Sequence, residues 1–427
     1  MKFSVDYLFK ILLTIMCFLC NLSNDIFPQN NDTSSIESVN FKKLLNIDNF
    51  ESNTGIDFSF SYKGEVFTNL EGGLNKNSVY LDNFDIIFNF DLDKMLGWNG
   101  AALNTYILGN NGKDPSEYAG AAQGISNIAA FHTWKLYQFW LEQNLFDNNL
   151  SLLAGLFDLN SEFDTRLSSG IFINPSHGIG PDFSMTGKNG PSIFPTTSVA
   201  FRISYNISRN FNMRTAAFDG VSGDPDKPGG THVLLKQSDG LLFSGEFTYH
   251  SESDELKTDY FKLSLGTWFY TGDFEKLNSQ NTEGITQYQK GNSGVYLSAE
   301  KFLFSAKNSD NEGLSAFLRI GLTDKSVNQV QYYFGVGVLY KGIIPGRDND
   351  ETGIAVSSIK NSDAYIRQML TEEITARNYE HIIEFTYLLR LFDCFIIQPD
   401  IQFVINPSNC LNHNTSFLFG TRFSFEI

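Results

Sequence analysis

Residues 55–63 read Gly-Ile-Asp-Phe-Ser-Phe-Ser-Tyr-Lys, and apolar and polar side chains alternate through this stretch with a strict period of two. Successive side chains of an extended chain point to opposite faces, so the alternation predicts a strand with one apolar and one polar face. The same pattern returns along the chain. The strong runs are 56–62, 88–92, 199–205, 243–249, 261–269, 314–322, 330–340 and 417–427. The weaker runs are 101–109, 133–144, 150–158, 210–218, 293–304, 352–358, 380–392 and 395–404.

The composition supports an all-β chain of about sixteen strands. The 427 residues include 40 Phe, 18 Tyr and 35 Gly, a mixture typical of pleated surfaces joined by turns. Aromatic residues make up 15% and charged residues 19% of the chain, which excludes an intrinsically disordered protein. The formal net charge is −17 and no basic run occurs, so the sequence predicts no nucleic-acid partner.

The lengths of the links indicate whether lipid or water surrounds these strands. A soluble β-sandwich would show the same alternation, but an outer-membrane barrel has long loops at one end and short turns at the other. We predict short links after strands two, four, six and fourteen, and long links after strands one, three, five, seven, nine and thirteen. The predicted fold is a transmembrane antiparallel β-barrel over residues 54–427, with long outer loops, short periplasmic turns, and a terminal strand that closes against the first.

The N-terminus indicates export. Lys2 and Lys10 precede the apolar run 11–19, which is long enough for a secretory signal and too short to span a bilayer as a helix. We predict a cleaved signal peptide over residues 1–20 and a polar lead segment over 21–53 that includes a short helix. Cleavage leaves Cys394 and Cys410, which a barrel of this topology places at opposite ends and therefore beyond disulfide reach.

The usual motifs of catalysis and cofactor binding are missing from the sequence. It has no Gly-x-Ser-x-Gly elbow, no phosphate-binding Gly-rich loop and no dinucleotide fingerprint. The six histidines have no metal-ligand spacing, and the acidic segments 91–93 and 348–350 do not continue into a full calcium loop. We predict no cofactor, no metal and no enzymatic activity.

A series of segments, in a fixed order along the chain, resembles the carbohydrate-selective outer-membrane porins of the OprB type. The segments are Gly64–Gly73, Asp91–Gly100, Gly124–Asn127, Leu136–Gln143, Ala154–Asp164, Phe172–Pro181, Gly190–Pro195, Ala216–Gly220, Asp350–Val356, Glu384–Tyr387 and Ile397–Pro407. The resemblance implies a sixteen-stranded barrel through which sugars diffuse across the outer membrane of a Gram-negative bacterium. One departure is the terminal Ile427, where strands of this kind usually end on an aromatic residue.

The resemblance also implies the partners. They are small sugars in transit, the lipid and lipopolysaccharide of the outer membrane, and the outer-membrane assembly machinery. Whether the barrels associate as homotrimers is left open by the sequence, because lipid-facing and partner-facing strands have similar patterns.

Strand parity selects the residues that line the pore. If Val199, Phe201 and Ile203 face lipid, Arg202 between them faces the lumen, since an arginine at the lipid midplane would cost about 2–4 kcal/mol. The same reasoning places three further charged side chains inside, namely Arg214, Glu246 and Arg319. An alternative is that these charges only solvate the interior and pair with one another.

Strand four and the link after strand five supply the remaining candidates. If the apolar face of strand four, with Tyr137, Phe139 and Leu141, points outward, the opposite face points inward. That face carries Trp134, Gln138, Trp140 and Glu142. Trp140 is then a stacking platform for a sugar, and Glu142 is an acceptor beside it. The alternative for Trp140 is a place in the interfacial aromatic girdle. The long link 159–196 is expected to fold into the barrel and narrow it. Its polar candidates are Asn160, Glu162, Asp164 and Arg166.

Three functions are compatible with such a barrel. The leading hypothesis is a passive porin for carbohydrates, for monosaccharides such as glucose and for small oligosaccharides. The second is a plugged structural or adhesive barrel that binds a ligand through its long loops, with the lead segment 21–53 either as such a plug or only as a periplasmic tail. A hydrolase embedded in the membrane is the third, and it lacks support because no paired Ser, His and Asp motif occurs.

Overall fold

In a computed structural model, the chain is described at residues 51, 53–251, 253, 255–279, 286–306, 312–371, 376–408 and 414–427. The predicted signal peptide, nearly all of the lead segment and Cys410 lie outside the described residues. Among the described residues, Cys394 has no disulfide partner.

Sixteen antiparallel strands form a closed barrel, as the alternation predicts. The strands are β1 (Ile56–Glu71), β2 (Ser78–Asp91), β3 (Ala101–Gly112), β4 (Thr133–Leu145), β5 (Leu150–Phe157), β6 (Ser198–Ser208), β7 (Phe211–Asp219), β8 (Leu241–His250), β9 (Phe261–Glu275), β10 (Tyr288–Ser305), β11 (Gly313–Thr323), β12 (Val330–Lys341), β13 (Glu351–Asn361), β14 (Tyr379–Phe392), β15 (Phe395–Ile405) and β16 (Ser416–Glu426). Each strand pairs with its neighbours in sequence, and β16 pairs with both β15 and β1.

The terminal strand closes the barrel, which confirms its predicted partner. Ser61 lies opposite Glu426 in the β1–β16 register. Ile427 donates its backbone N–H to the carbonyl of Phe60 at 2.9 Å and accepts the N–H of Phe60 at 3.1 Å. The aliphatic terminal residue therefore takes part in the ladder, and closure gives every strand a hydrogen-bonded neighbour on both sides.

The links differ in length between the two ends of the barrel. At the long-loop end they include 113–132, 158–197, 220–240 and 362–378, and at the short-turn end 146–149, 209–210 and 393–394. The predicted long link after strand one is wrong, because β2 begins at Ser78 and the link covers only 72–77. The alternation of apolar and polar residues does not indicate the first half of β2, because two adjacent polar residues, Asp82 and Asn83, interrupt it.

In the links, the described residues form four short α-helices. They are α1 (Leu92–Leu96), α2 (Ser116–Ala119), α3 (Pro181–Ser184) and α4 (Asp363–Thr371). The Asp91 side chain caps α1 by accepting the Lys94 N–H at 3.1 Å, and Gly97 ends it at φ 71°, a left-handed conformation that favours glycine. Within the described ranges, none of the helices is long and apolar enough to span a membrane.

Large apolar side chains cover the outer face of the barrel. Phe201, Phe247 and Phe269 are exposed outward, whereas their neighbours in sequence point inward and are buried. The interior contains its own apolar packing, in which Phe183 of α3 stacks on Trp268 of β9 with ring centroids 5.1 Å apart. The barrel therefore has an apolar outer surface and an interior partly filled by its links.

Candidate functional site

The link 158–197, here called the inner loop, enters the lumen and is held there by glutamates of the wall. Glu246, Glu300 and Glu384 project inward from β8, β10 and β14. Their carboxylates accept backbone N–H groups of the inner loop, from Asp164 at 2.8 Å, Leu167 at 3.1 Å, Ser168 at 2.9 Å, Ile173 at 2.6 Å and Asn174 at 3.2 Å. Because these strands lie on different parts of the wall, the inner loop crosses the lumen, as its length predicted.

The link 113–132 also folds inward, beside the inner loop. Glu380 of β14 accepts the N–H groups of Ala122 at 3.0 Å and Gln123 at 2.9 Å. The N–H of Asn127 donates to the carbonyl of Ile173 at 2.9 Å, which joins the two links. Together they occupy part of the cross-section of the barrel.

A buried ion cluster anchors the inner loop to β11. Arg319 of β11 donates from Nε to Asp164 Oδ2 at 3.0 Å and also bonds to Asp182. Arg166 bonds to Asp164 and donates to the carbonyl of His177 at 3.0 Å. The side chains of Asp164, Asp182 and Arg319 are 0% exposed. We call these four charged residues, Asp164, Arg166, Asp182 and Arg319, the anchor cluster.

Two buried ionisable groups of the inner loop have shifted pKa values. Burial alone would raise the pKa of Asp164, but the adjacent Arg319 and Arg166 guanidinium groups lower that pKa below its usual value. Burial, together with the nearby charge of Arg166, lowers the pKa of His177 to about 3. The aspartate is therefore charged and the imidazole neutral around pH 7.

A second set of charges is partly accessible from the lumen. Glu142, Glu162, Arg202 and Arg214 form what we call the charged quartet. Arg202 Nη2 lies 2.8 Å from Glu142 Oε1 and 2.7 Å from Glu162 Oε1. Arg214 Nε lies 3.2 Å from Glu162 Oε2. The side chains of Glu142, Glu162 and Arg214 are 22%, 24% and 25% exposed, so a solute in the lumen can touch them. The Arg202 side chain is only 3% exposed, so it faces inward as predicted but binds the two glutamates and not the solute.

Several of the residues that the sequence predicted to line the pore are buried instead. Asp164 and Arg166 of the inner loop, and Glu246 and Arg319 of the wall, are buried where the loop meets the wall. The prediction that these residues contact a passing solute is wrong, because their polar atoms bond to one another and to other groups of the loop. Asn160 lies in a short turn, where its side chain donates to the Phe163 carbonyl at 3.0 Å.

A β-bulge corrects the parity of strand four. The β3–β4 register shifts between Tyr106 and Ile107, so Tyr137 and Gln138 both point inward. Tyr137 donates to Asp158 Oδ2 at 2.6 Å and is buried, whereas Trp134 is exposed outward and packs 5.3 Å from Phe84. Placing Tyr137 outside and Trp134 inside was wrong. From Gln138 onward the side chains of β4 face as predicted, with Trp140 pointing inward. The Trp140 indole N–H donates to Gln138 Oε1 at 3.1 Å.

Sequence reasoning missed three of the glutamates that hold the two inward-folded links. Glu300, Glu380 and Glu384 carried a usable signal, since each is an acidic residue in the inward register of a strand. Their partners are backbone N–H groups far away in the sequence, and nothing local indicates them. In the described part of the chain, no three His, Cys, Asp or Glu side chains come together as a metal ion would require.

Comparisons with known proteins agree with this architecture. The family model described as "Carbohydrate-selective porin, OprB family" matches residues 75–427. Porin B of Pseudomonas aeruginosa is 25% identical over 403 residues, which cover 86% of this chain and 87% of that protein.

Solved structures share the fold. The high-pH structure of Pseudomonas putida OprB has a TM-score of 0.79 at 22% identity, covering 90% of this chain and 97% of that one. The outer membrane channel DcaP of Acinetobacter baumannii has a TM-score of 0.54 at 12% identity, covering 87% and 97% of the two chains. Because the family model covers most of the sequence and the barrel has the matching fold, the chain belongs to the OprB family of carbohydrate-selective porins and is an outer-membrane channel for carbohydrates.

Proposed function

We propose that small neutral sugars cross this barrel passively and contact the charged quartet where the inner loop approaches β4, β6 and β7. The observation that carries the proposal is the difference in exposure between the two charge clusters. The anchor cluster is sealed, whereas Glu142, Glu162 and Arg214 present donors and acceptors to the lumen. A sugar needs such groups to replace the water that it loses on entry.

The quartet suits a neutral solute better than an ion. It contains two carboxylates and two guanidinium groups in direct contact, so its charges cancel at a distance while its hydrogen-bonding groups remain strong at short range. Trp140, which is partly buried beside this wall, is proposed as the apolar face for the C–H groups of a sugar ring. No step of this passage requires catalysis.

Neutralising the accessible pair tests the proposal. In Glu162→Gln/Arg214→Gln, we expect glucose permeation into proteoliposomes to fall roughly three- to tenfold, because charge-assisted hydrogen bonds to the sugar are lost. Permeation of a size-matched neutral amino acid should change little. Osmotic swelling of vesicles that contain the refolded protein measures both rates.

The control for this variant is Glu117→Gln/Arg209→Gln, which removes one exposed acid and one exposed base outside the quartet. It should swell like the wild type. If the quartet variant sped up all solutes alike, the pore would only have widened. If glucose and the amino acid kept their wild-type rates, the quartet would have no part in sugar passage.

We further infer the route to the membrane from the sequence. Residues 1–20 would direct export and be cleaved, and the assembly machinery of the outer membrane would insert the barrel, with lipid and lipopolysaccharide against its outer face. A homotrimer stays a hypothesis. Residues 21–53 would form a periplasmic lead segment that precedes the first strand.

A further inference from the structure

A cavity of about 550 Å³ lies on the inner wall at the short-turn end, where β1, β2 and β16 meet the β14–β15 turn. Its lining includes Ser59, Ser61, Lys63, Asp85, Ile87 and Glu426. The volume is within the range of about 300–1,000 Å³ that is usual for small-molecule sites. None of these residues belongs to the charged quartet or to the inner loop.

The register of β1 shows that the cavity opens to the lumen. Glu65 is bonded to Arg422, whose guanidinium also reaches Asn127 of the inward-folded link 113–132. Glu65 therefore points inward. Residues two positions apart on a strand share a face, so Lys63 and Ser61 point inward as well.

The polar side of the cavity combines donors with acceptors. Lys63 Nζ lies 3.4 Å from Asp85 Oδ2, and Asp85 Oδ1 accepts the Tyr106 hydroxyl at 2.6 Å. The side chains of Lys63 and Asp85 are 28% and 11% exposed, which leaves both within reach of a solute. The Ser61 hydroxyl is buried without a hydrogen-bond partner among the residues that the structure describes.

A hydroxyl that is buried in this way is out of reach of a solute, so Ser61 takes no direct part in binding. Ile87 adds an apolar side, since it lies opposite Ser59 on β1 and Tyr106 on β3 and lines the same cavity. The cavity thus offers one polar edge and one apolar patch.

We propose that this cavity is a second solute subsite, which binds a small polyhydroxylated molecule at the short-turn mouth of the channel. Lys63 donates to its hydroxyls, and Asp85 accepts from them. Asp393 and Glu426 line the same cavity, so carboxylates outnumber the ammonium group of Lys63. The adjacent hydroxyls of one ligand, which both donate and accept, match this set of one donor and several acceptors. The identity of the ligand as a sugar rests on the proposed function.

The variant Lys63→Gln tests the subsite. We expect the half-saturating concentration of glucose to rise about tenfold, because a charge-assisted donor is lost. Glucose-induced fluctuations of the ion current through single channels in a planar bilayer measure this concentration. Asp85→Asn should shift it in the same direction, which guards against a defect peculiar to one variant.

The matched control is Lys341→Gln. Lys341 ends β12 at the short-turn end, and it shares the inward face of Leu339, which packs in an interior cluster with Phe172 of the inner loop. It does not line the cavity, so it removes the same charge from the same mouth and should leave the half-saturating concentration unchanged.

The outcomes separate the subsite from the proposed function. Unchanged glucose affinity in Lys63→Gln and Asp85→Asn, with normal glucose swelling in vesicles, would overturn the subsite alone. An equal loss of affinity in Lys341→Gln would also overturn it, since the effect would then be one of mouth charge. Failure of the proposed function would appear separately, as a wild-type channel whose vesicles do not swell in glucose.

Discussion

Arg319→Met is expected to lower the free energy of unfolding by about 3–5 kcal/mol and to raise the channel conductance. The substitution removes the cation that lies between Asp164 and Asp182 and leaves both carboxylates buried without their main partner. Arg319 also lies 5.1 Å from the Tyr296 ring and 5.0 Å from the Tyr333 ring, so two cation–π contacts are lost with it. The inner loop should loosen, and the passage should widen.

Two measurements check this prediction. Urea titration in the presence of lipid vesicles gives the free energy of unfolding, and planar-bilayer recording gives the conductance. The matched control is Arg209→Met, because Arg209 is an exposed arginine in the two-residue turn 209–210 and should change neither quantity. Wild-type stability together with wild-type conductance in Arg319→Met would contradict the anchoring role.

Replacing residues 160–195 with a short Gly-Ser linker should have the largest effect on transport. We expect the single-channel conductance to rise several-fold and the discrimination between glucose and larger oligosaccharides to disappear, because the segment that crosses the lumen is gone. The barrel should persist, since its strands pair with one another and not with the loop. Wall glutamates such as Glu246 and Glu384 would then be hydrated by the water that fills the lumen.

The control for this replacement removes α4 instead. Residues Asp363–Thr371 lie at the same end of the barrel and include no buried side chain, so the same linker in their place should leave conductance unchanged. Circular dichroism and heat-dependent gel mobility establish that each variant retains a folded barrel. A folded, inner-loop-deleted channel with wild-type conductance would show that the loop does not restrict the pore.

Local pattern was sufficient for the number of strands and for the facing of most of them. An antiparallel barrel between lipid and water repeats one rule at every strand, apolar outward and polar inward, so alternation predicts both the number of strands and the inward facing of Arg202 and Arg319. The family resemblance came from short segments in a fixed order. Bulges are the exception, because one additional residue in β4 reverses the parity of Trp134 without a mark in the sequence.

The sequence by itself determined the all-β class, the sixteen strands, the closing role of 417–427 and a long link able to enter the lumen. Only the tertiary structure decided which polar residues a solute can reach. Asp164 and Glu162 are two positions apart in one link, yet one is sealed against Arg319 and the other faces the lumen. Exposure depends on contacts between residues that lie far apart in the sequence, and a period of two carries no information about them.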